Sequence, residues 1–480
     1  VPETYELVIR NGRVVGPDGT VSADVAVRGG KIAVVGEVTG RAEETVDAEG
    51  KLVLPGGVDP HCHIEQMSAM GQLNADTFET ATRSAAMGGT TSVISFAAQA
   101  KGQRLRDTLS DYAARARRGA MVDHAFHLSI SDCAAPDFDA DLGALIQEGH
   151  RSIKLFTTYD IRLDDPDILH VMTLAREFGA LVCVHAENDA MIGWSRSRLI
   201  AAGLKDMKYH VPSHPRLAEI EAVERICRFS EFLGQPVMLF HISTSDAVKA
   251  LRRARRRGVP VRAETCPHYL VMGPEVLDVP GMAGAKWMCS PPQRVAQDRE
   301  ALWRALEQGD LDLVSSDHAP YRFDETGKLS AGPEAGFDRI ANGMPGLQTR
   351  LPVLFDAMVS RGRMPVEHFV RLTATAPAAL YGLTRKGRIA PGMDADIVIW
   401  DAEQKHVYGE NDLSDNVGYN PYAGREITGM PQDVFLRGAP LMRQGAFVGT
   451  PGQGAWIERE SIGVAAATPA PEARRFLAGD

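Results

Sequence analysis

The stretch Leu52-Val53-Leu54-Pro55-Gly56-Gly57-Val58-Asp59-Pro60-His61-Cys62-His63 runs from a strand-forming apolar start to two histidines placed two positions apart. In an extended strand side chains alternate faces, so His61 and His63 point one way and Cys62 the other. Two imidazoles on one side of a strand end make half a metal site. Alone the pair is a weak signal, because such pairs recur in surface strands and buried histidines often only satisfy a hydrogen bond. Where the remaining candidate ligands fall decides its meaning.

Downstream of Leu52 apolar strands alternate with amphipathic stretches of helical length. The strands read as 52–58, 91–96, 124–128, 152–156, 181–185, 237–241, 261–266 and 311–316. Helical candidates between them include 75–87, 105–118, 168–178, 218–233, 245–256 and 299–308. Eight strands with intervening helices predict an α/β fold with a parallel (β/α)8 barrel, a doubly wound open sheet being the alternative. Further helix is expected over 364–381. Before the barrel, short β-type runs separated by Asn11-Gly12, Asp18-Gly19 and Gly29-Gly30 suggest antiparallel hairpins, and β texture returns after Gly387. The expected division is 1–54 and 385–461 as two parts of one small β-sandwich and 55–384 as the barrel. An Ala/Pro-rich tail over 462–480 would be an arm or disordered.

At 480 residues the chain has room for a large core and a smaller companion. Its 52 basic and 62 acidic residues give a formal net charge of −10, which argues against nucleic acid or an anionic membrane as the main partner. The Arg-rich run 252–257 reads as a solvated helix face, since no aromatic stacking platform is interleaved with it. The six cysteines lack CxxC spacing, as expected of reduced thiols in a cytoplasmic protein. No basic leader with an apolar core opens the sequence, and no apolar run is long enough to span a bilayer.

Barrel sites form where strands end, so the strand ends are read together. The first carries His61 and His63, the fourth Lys154, the fifth His185, the sixth His241 and the eighth Asp317. Four histidines, a lysine and an aspartate thus share one rim, where chance placement is hard to arrange. Imidazole and carboxylate suit Zn²⁺, with Mn²⁺, Co²⁺ or Fe²⁺ as substitutes. An ammonium would repel such cations, but desolvation lowers a buried lysine's pKa and frees the amine. The amine can then add carbon dioxide, and the resulting carbamate can bridge two metals.

These residues resemble the amidohydrolase superfamily and, within it, the dihydropyrimidinase and hydantoinase branch of cyclic amidases. The likeness covers nearly the whole chain and is carried by Asp59-Pro60-His61-Cys62-His63, Lys154-Leu155-Phe156, Val184-His185-Ala186-Glu187-Asn188, Ala263-Glu264-Thr265-Cys266-Pro267, Ser316-Asp317-His318-Ala319-Pro320 and the closing run 391–398. It implies a binuclear site in which His61, His63 and Asp317 hold one metal, His185 and His241 the other, and N6-carboxylated Lys154 both. A bridging hydroxide would lie between the metals. Asp317 would shuttle the proton from that hydroxide to the leaving ring nitrogen, and Tyr159 would stabilise the developing oxyanion. Ser290 and Asn342 match positions whose backbone holds the cyclic amide. The product would be a ring-opened N-carbamoyl amino acid, and the assembly a homotetramer.

Several residues bear on the choice of ring. Glu65 stands where dihydroorotases carry an arginine that clamps the substrate carboxylate, and a glutamate there would repel that group. His268 is a form associated more with allantoinases and dihydroorotases than with hydantoinases, and the loop 64–70 lacks the usual acid-Met-Pro pattern of the branch. Allantoinase or a broader cyclic imidase is therefore the alternative activity. A non-catalytic scaffold of the same fold is the remote one, opposed by a complete set of ligand positions.

Overall fold

The computed structural model describes residues 4–68 and 70–477. The chain begins with β1 (Thr4–Gly16), β2 (Gly19–Arg28), β3 (Lys31–Gly36), β4 (Arg41–Asp47) and β5 (Leu52–Pro55). Pro17-Asp18, with Gly19 opening β2, and Gly29-Gly30 form the turns of two antiparallel hairpins. Asn11-Gly12 does not turn the chain. It is a bulge inside β1, with Asn11 at φ 56° and the pairing to β2 slipping between Ile9 and Gly12.

The expected first barrel strand over 52–58 is two strands. Leu52–Pro55 belongs to the small sheet, lying between β1, to which it is parallel, and the later strand β14 (Ile397–Val407), to which it is antiparallel. The barrel begins one residue beyond Gly56, at β6 (Gly57–Cys62). A Cβ on Gly56 would stand 2.0 Å from Thr91 Oγ1, so the crossing between the sheets admits only glycine. The break falls at Pro55-Gly56-Gly57, a turn signal inside the single expected strand. With β15 (Glu426–Leu436), β16 (Ala439–Arg443) and β17 (Ala446–Phe447), the small sheet has nine strands drawn from both ends of the described chain.

The barrel continues through β7 (Thr90–Ala98), β8 (Asp123–Ser129), β9 (Ser152–Phe156), β10 (Leu181–His185), β11 (Val237–Leu239), β12 (Val261–Thr265) and β13 (Leu313–Val314), in sequence order and all parallel. It closes rather than lying open. His63 N donates to His318 O at 2.7 Å and Ser316 N to Asp59 Oδ1 at 3.1 Å, joining the last segment to the first. Helices cover the outside, among them Phe78–Met87, Asp165–Phe178, Arg216–Leu233 and Ser245–Arg256. The first is started by Thr77, whose hydroxyl accepts from Thr80 N while the Thr80 hydroxyl accepts from Thr77 N. The helix expected over 364–381 is Val366–Leu380, with a wider turn over Arg371–Thr375.

Val58, Ile94, Phe96, Cys183, Met238 and Phe240 fill the barrel interior. Lys386, bonded to Asp123 at 2.6 Å and to Asp396 at 2.8 Å, ties the barrel floor to the segment leading into β14. The end of the described chain crosses that floor: Ile457 N donates to His124 O, Gly463 N to Leu380 O and Ala467 N to Gly234 O. It finishes in the short helix Pro471–Leu477, with Ala473 buried. Among the described residues no helix is long and apolar enough to cross a membrane.

Candidate active site

The strand ends bring all six expected ligands to one rim. Asp317 Oδ1 lies 3.0 Å from His61 Nε2 and 3.4 Å from His63 Nε2. His241 Nε2 lies 2.9 Å from His185 Nδ1, and one ligand atom each from His61, His241 and Asp317 falls within a 4.8 Å set. Lys154 is 1 % exposed, its Nζ 4.0 Å from the Phe240 ring centroid and 4.7 Å from that of Phe156.

The other nitrogen of three of these imidazoles is already engaged. His61 Nδ1 meets Glu264 Oε1 at 2.5 Å, His63 Nδ1 meets Gln66 Oε1 at 2.7 Å, and His185 Nε2 meets Glu187 Oε2 at 2.8 Å. Carboxylates and a carbonyl oxygen only accept here, so each engaged nitrogen donates, and the nitrogen facing the rim is the one that could bind a cation once it has given up its proton. Glu187 Oε1 in turn meets His214 Nδ1 at 2.9 Å, which anchors the His185 ring from behind. Sequence reading brought these six side chains to one rim but did not foresee the supports behind them. Glu264 and Glu187 stood inside the quoted motifs, yet their acceptor role rests on contacts that only the closed barrel makes.

Burial pushes His63, His185 and His241 below the ordinary imidazole value, toward the neutral form that metals take. At His61 burial acts the same way but is outweighed by the Asp317 and Glu264 carboxylates, which raise it. For Asp317 burial alone would favour the acid, but the His61, His63 and His241 imidazoles hold the carboxyl well below the usual range. Burial draws the Lys154 ammonium down to about 7, against the pull of Asp317. His61 Nε2 and His63 Nε2 face the Asp317 carboxylate, and His185 Nδ1 and His241 Nε2 lie within hydrogen-bond distance of each other. These donors could hold two divalent cations.

His241 and Asp317 have φ of 38° and 47°, and Tyr159 of 70°, the left-handed region that non-glycine residues rarely take. Each lies beyond the regular end of its strand, which is how the side chain turns into the barrel mouth. Such strain concentrates where a site over-determines the backbone.

Above the rim opens a cavity of about 420 Å³ whose wall includes Tyr159, Ser290 and Asn342. Burial raises the Tyr159 hydroxyl beyond its ordinary value, so it stays protonated, although Ser290 and Asn342 lie near enough to oppose the shift. Ser290 Oγ and Asn342 Oδ1 are buried without partners. Nor does any hydrogen bond among the described residues engage the main chain of Ser290 or Asn342.

The amidohydrolase family pattern matches residues 52–441, from β5 to the penultimate strand β16. The chain belongs to the amidohydrolase family. It is 39 % identical over 462 residues to a D-hydantoinase of Streptomyces coelicolor, covering 94 % of this chain and 97 % of that one. A D-hydantoinase of Ralstonia pickettii is 36 % identical over 457 residues, 95 % and 99 % of the two chains. Among solved structures, a dihydropyrimidinase from Brevibacillus agri superposes with a TM-score of 0.92 at 36 % identity, covering 96 % of this chain and 99 % of that chain.

Within this amidohydrolase two expectations about specificity change. Glu65 does not face the cavity. Its Oε1 accepts from Phe78 N at the start of helix Phe78–Met87, and Arg115 Nη1 donates to its carbonyl, so repulsion of a substrate carboxylate by Glu65 is no argument. His268 is buried against Tyr269, with ring centroids 4.2 Å apart, and is also absent from the cavity wall. The loop after the histidine pair does line the cavity, through Gln66, Met67, Ser68 and Met70. Ala69 of that loop lies outside the described residues.

Proposed function

We propose that this amidohydrolase opens the ring of a small cyclic amide, a hydantoin or dihydropyrimidine, to give an N-carbamoyl amino acid. One observation carries the reading. The rim-facing nitrogens of the four imidazoles, Asp317 and Lys154 converge beneath a cavity lined by Tyr159, Ser290 and Asn342. The names of the hydantoinase and dihydropyrimidinase relatives support it.

In this reading His61, His63 and Asp317 hold one divalent cation and His185 and His241 the other, Zn²⁺ suiting the donors best and Mn²⁺, Co²⁺ or Fe²⁺ able to replace it. The neutral Lys154 amine adds carbon dioxide and loses a proton, giving an N6-carboxylate that serves both sites. When bound, such cations lower the pKa of water and polarise a carbonyl. Asp317 takes a proton from the attacking water and delivers it to the ring nitrogen as the C–N bond breaks, so that nitrogen leaves neutral and one water is consumed. Tyr159, protonated because it is buried, donates to the carbonyl oxygen as negative charge develops there. The free N–H and C=O groups of Ser290 and Asn342 pair with the ring amide. Asp317 and Tyr159 are thus the catalytic residues, and Tyr159, Ser290 and Asn342 bind substrate. The same reading carries a homotetramer in a reducing cytoplasm, with which six unpaired cysteines are compatible.

The test is ring opening by zinc-reconstituted protein on dihydrouracil, hydantoin, a 5-substituted hydantoin, allantoin and a simple cyclic imide. Turnover is expected to be greatest with dihydrouracil or the hydantoins. Dominant turnover of allantoin or the imide would instead make this an allantoinase or cyclic imidase and move specificity to the 64–70 loop. No turnover on any ring, with two metals bound, would leave the scaffold reading.

A further inference from the structure

Lys328 is a buried amine for which the reaction above has no use. It sits on the irregular segment between Arg322 and Gly332, which is exposed at Arg322, Glu325 and Thr326, yet Lys328 itself is 0 % exposed. Its Nζ donates to Ala341 O at 3.0 Å and to Met288 O at 3.2 Å. One carbonyl immediately precedes Asn342 and the other lies two residues before Ser290. No ion pair holds the amine among the described residues, and burial pulls it down to about 7 with only the nearby Cys289 acting against that. A charged or freshly neutralised lysine in such a place is unfavourable unless its hydrogen bonds do something that an apolar side chain cannot.

The surrounding bonds indicate what that is. Met288 O also accepts from Gly343 N at 2.8 Å, Cys289 O from His210 Nε2 at 2.8 Å, and Pro291 O from the Tyr269 hydroxyl at 2.6 Å. The carbonyls on either side of Ser290 are therefore all taken, and the main-chain groups of Ser290 and Asn342 are left over. Two main-chain edges can grip one small ring only if their separation is fixed; the Gly343 N–Met288 O bond joins the two segments directly, Gln293 Nε2 reaches Trp287 O and Met344 Sδ, and Lys328 spans the carbonyls nearest Ser290 and Asn342. An ammonium has three N–H groups and a neutral amine two, so either form can span the pair of carbonyls.

We propose, on the functional reading above, that Lys328 is a positioning residue that sets the spacing between the Ser290 and Asn342 segments for binding the cyclic amide. In zinc-loaded protein, Lys328→Met is expected to raise KM for the ring the wild type opens by about tenfold or more, the loss of roughly one or two hydrogen bonds. Turnover at saturation should stay within about threefold, the metal content should be unchanged, and main-chain amide exchange should quicken over 286–292 and 339–345. Lys328→Gln, which keeps N–H donors with shorter reach, should move KM and exchange the same way by less. A purely structural lysine would lower Tm and leave KM and local exchange alone. Wild-type KM and exchange in whichever of the two variants folds would overturn the proposal. If the wild type opens no ring, the functional reading fails while the exchange measurement still decides the role of Lys328.

Discussion

Asp317→Asn is expected to lower ring-opening turnover by about a thousandfold or more, within the range that loss of a positioned proton carrier produces. Asparagine is nearly the same size, so the loop at φ 47° can keep its shape. What disappears is a carboxylate that accepts a proton. The carboxylate is held ionised by three imidazoles in spite of burial, which means it is a base at neutral pH and becomes an acid only once it has taken a proton from the attacking water. Metal content, measured on the same samples, separates this role from that of ligand. Turnover near wild type with both metals retained would remove Asp317 from proton transfer.

Lys154→Met is expected to change activity and stability in opposite directions. Activity should fall at least about ten-thousandfold and bound metal below one ion per chain, because the side chain proposed to serve both cations is gone. The metal-free protein should nevertheless become harder to unfold. A lysine whose pKa drops from 10.5 to about 7 on folding penalises the folded state by on the order of 4 kcal/mol at pH 7. The sign follows from protons bound: between pH 7 and 10.5 the unfolded chain holds more of them, so the penalty is full below pH 7 and fades as pH rises toward 10.5. Methionine fills the same aromatic surroundings without it. The pKa also makes loading of the wild type dependent on pH. At fixed dissolved carbon dioxide, about one tenth of the Lys154 amine is neutral at pH 6 and about nine tenths at pH 8, so zinc reconstitution should be faster at the higher pH. Equal metal content in wild type and Lys154→Met would contradict the bridging role.

Much of this was legible in the chain because a parallel barrel converts sequence position into spatial position. Strand alternation puts His61 and His63 on one side, and the rule that strand ends share a rim brings in Lys154, His185, His241 and Asp317 from more than 250 residues of sequence. Contacts between distant side chains were not legible. Glu264 reaches His61 across 203 positions, and nothing local to either distinguishes an orienting carboxylate from a buried structural one. The backbone strain at His241 and Asp317 was equally hidden, since neither residue announces a left-handed conformation as glycine does. Pattern also misled twice. Asn11-Gly12 has turn chemistry but bulges within a strand, and the single strand expected from Leu52 to Val58 is broken at Pro55-Gly56-Gly57, where the chain crosses from one sheet to another. Glu65 shows that matching a position to a role requires knowing where its side chain points.

The central claim is that ring opening depends on two cations held by these six side chains. The most direct measurement is hydantoin or dihydrouracil hydrolysis followed while metal-free protein is titrated with Zn²⁺, with bound metal counted at each step. Activity absent from the metal-free protein and rising to a plateau at two ions per chain is the result expected here. Hydrolysis by metal-free protein at the plateau rate, or none of either ring with two ions bound, would contradict it.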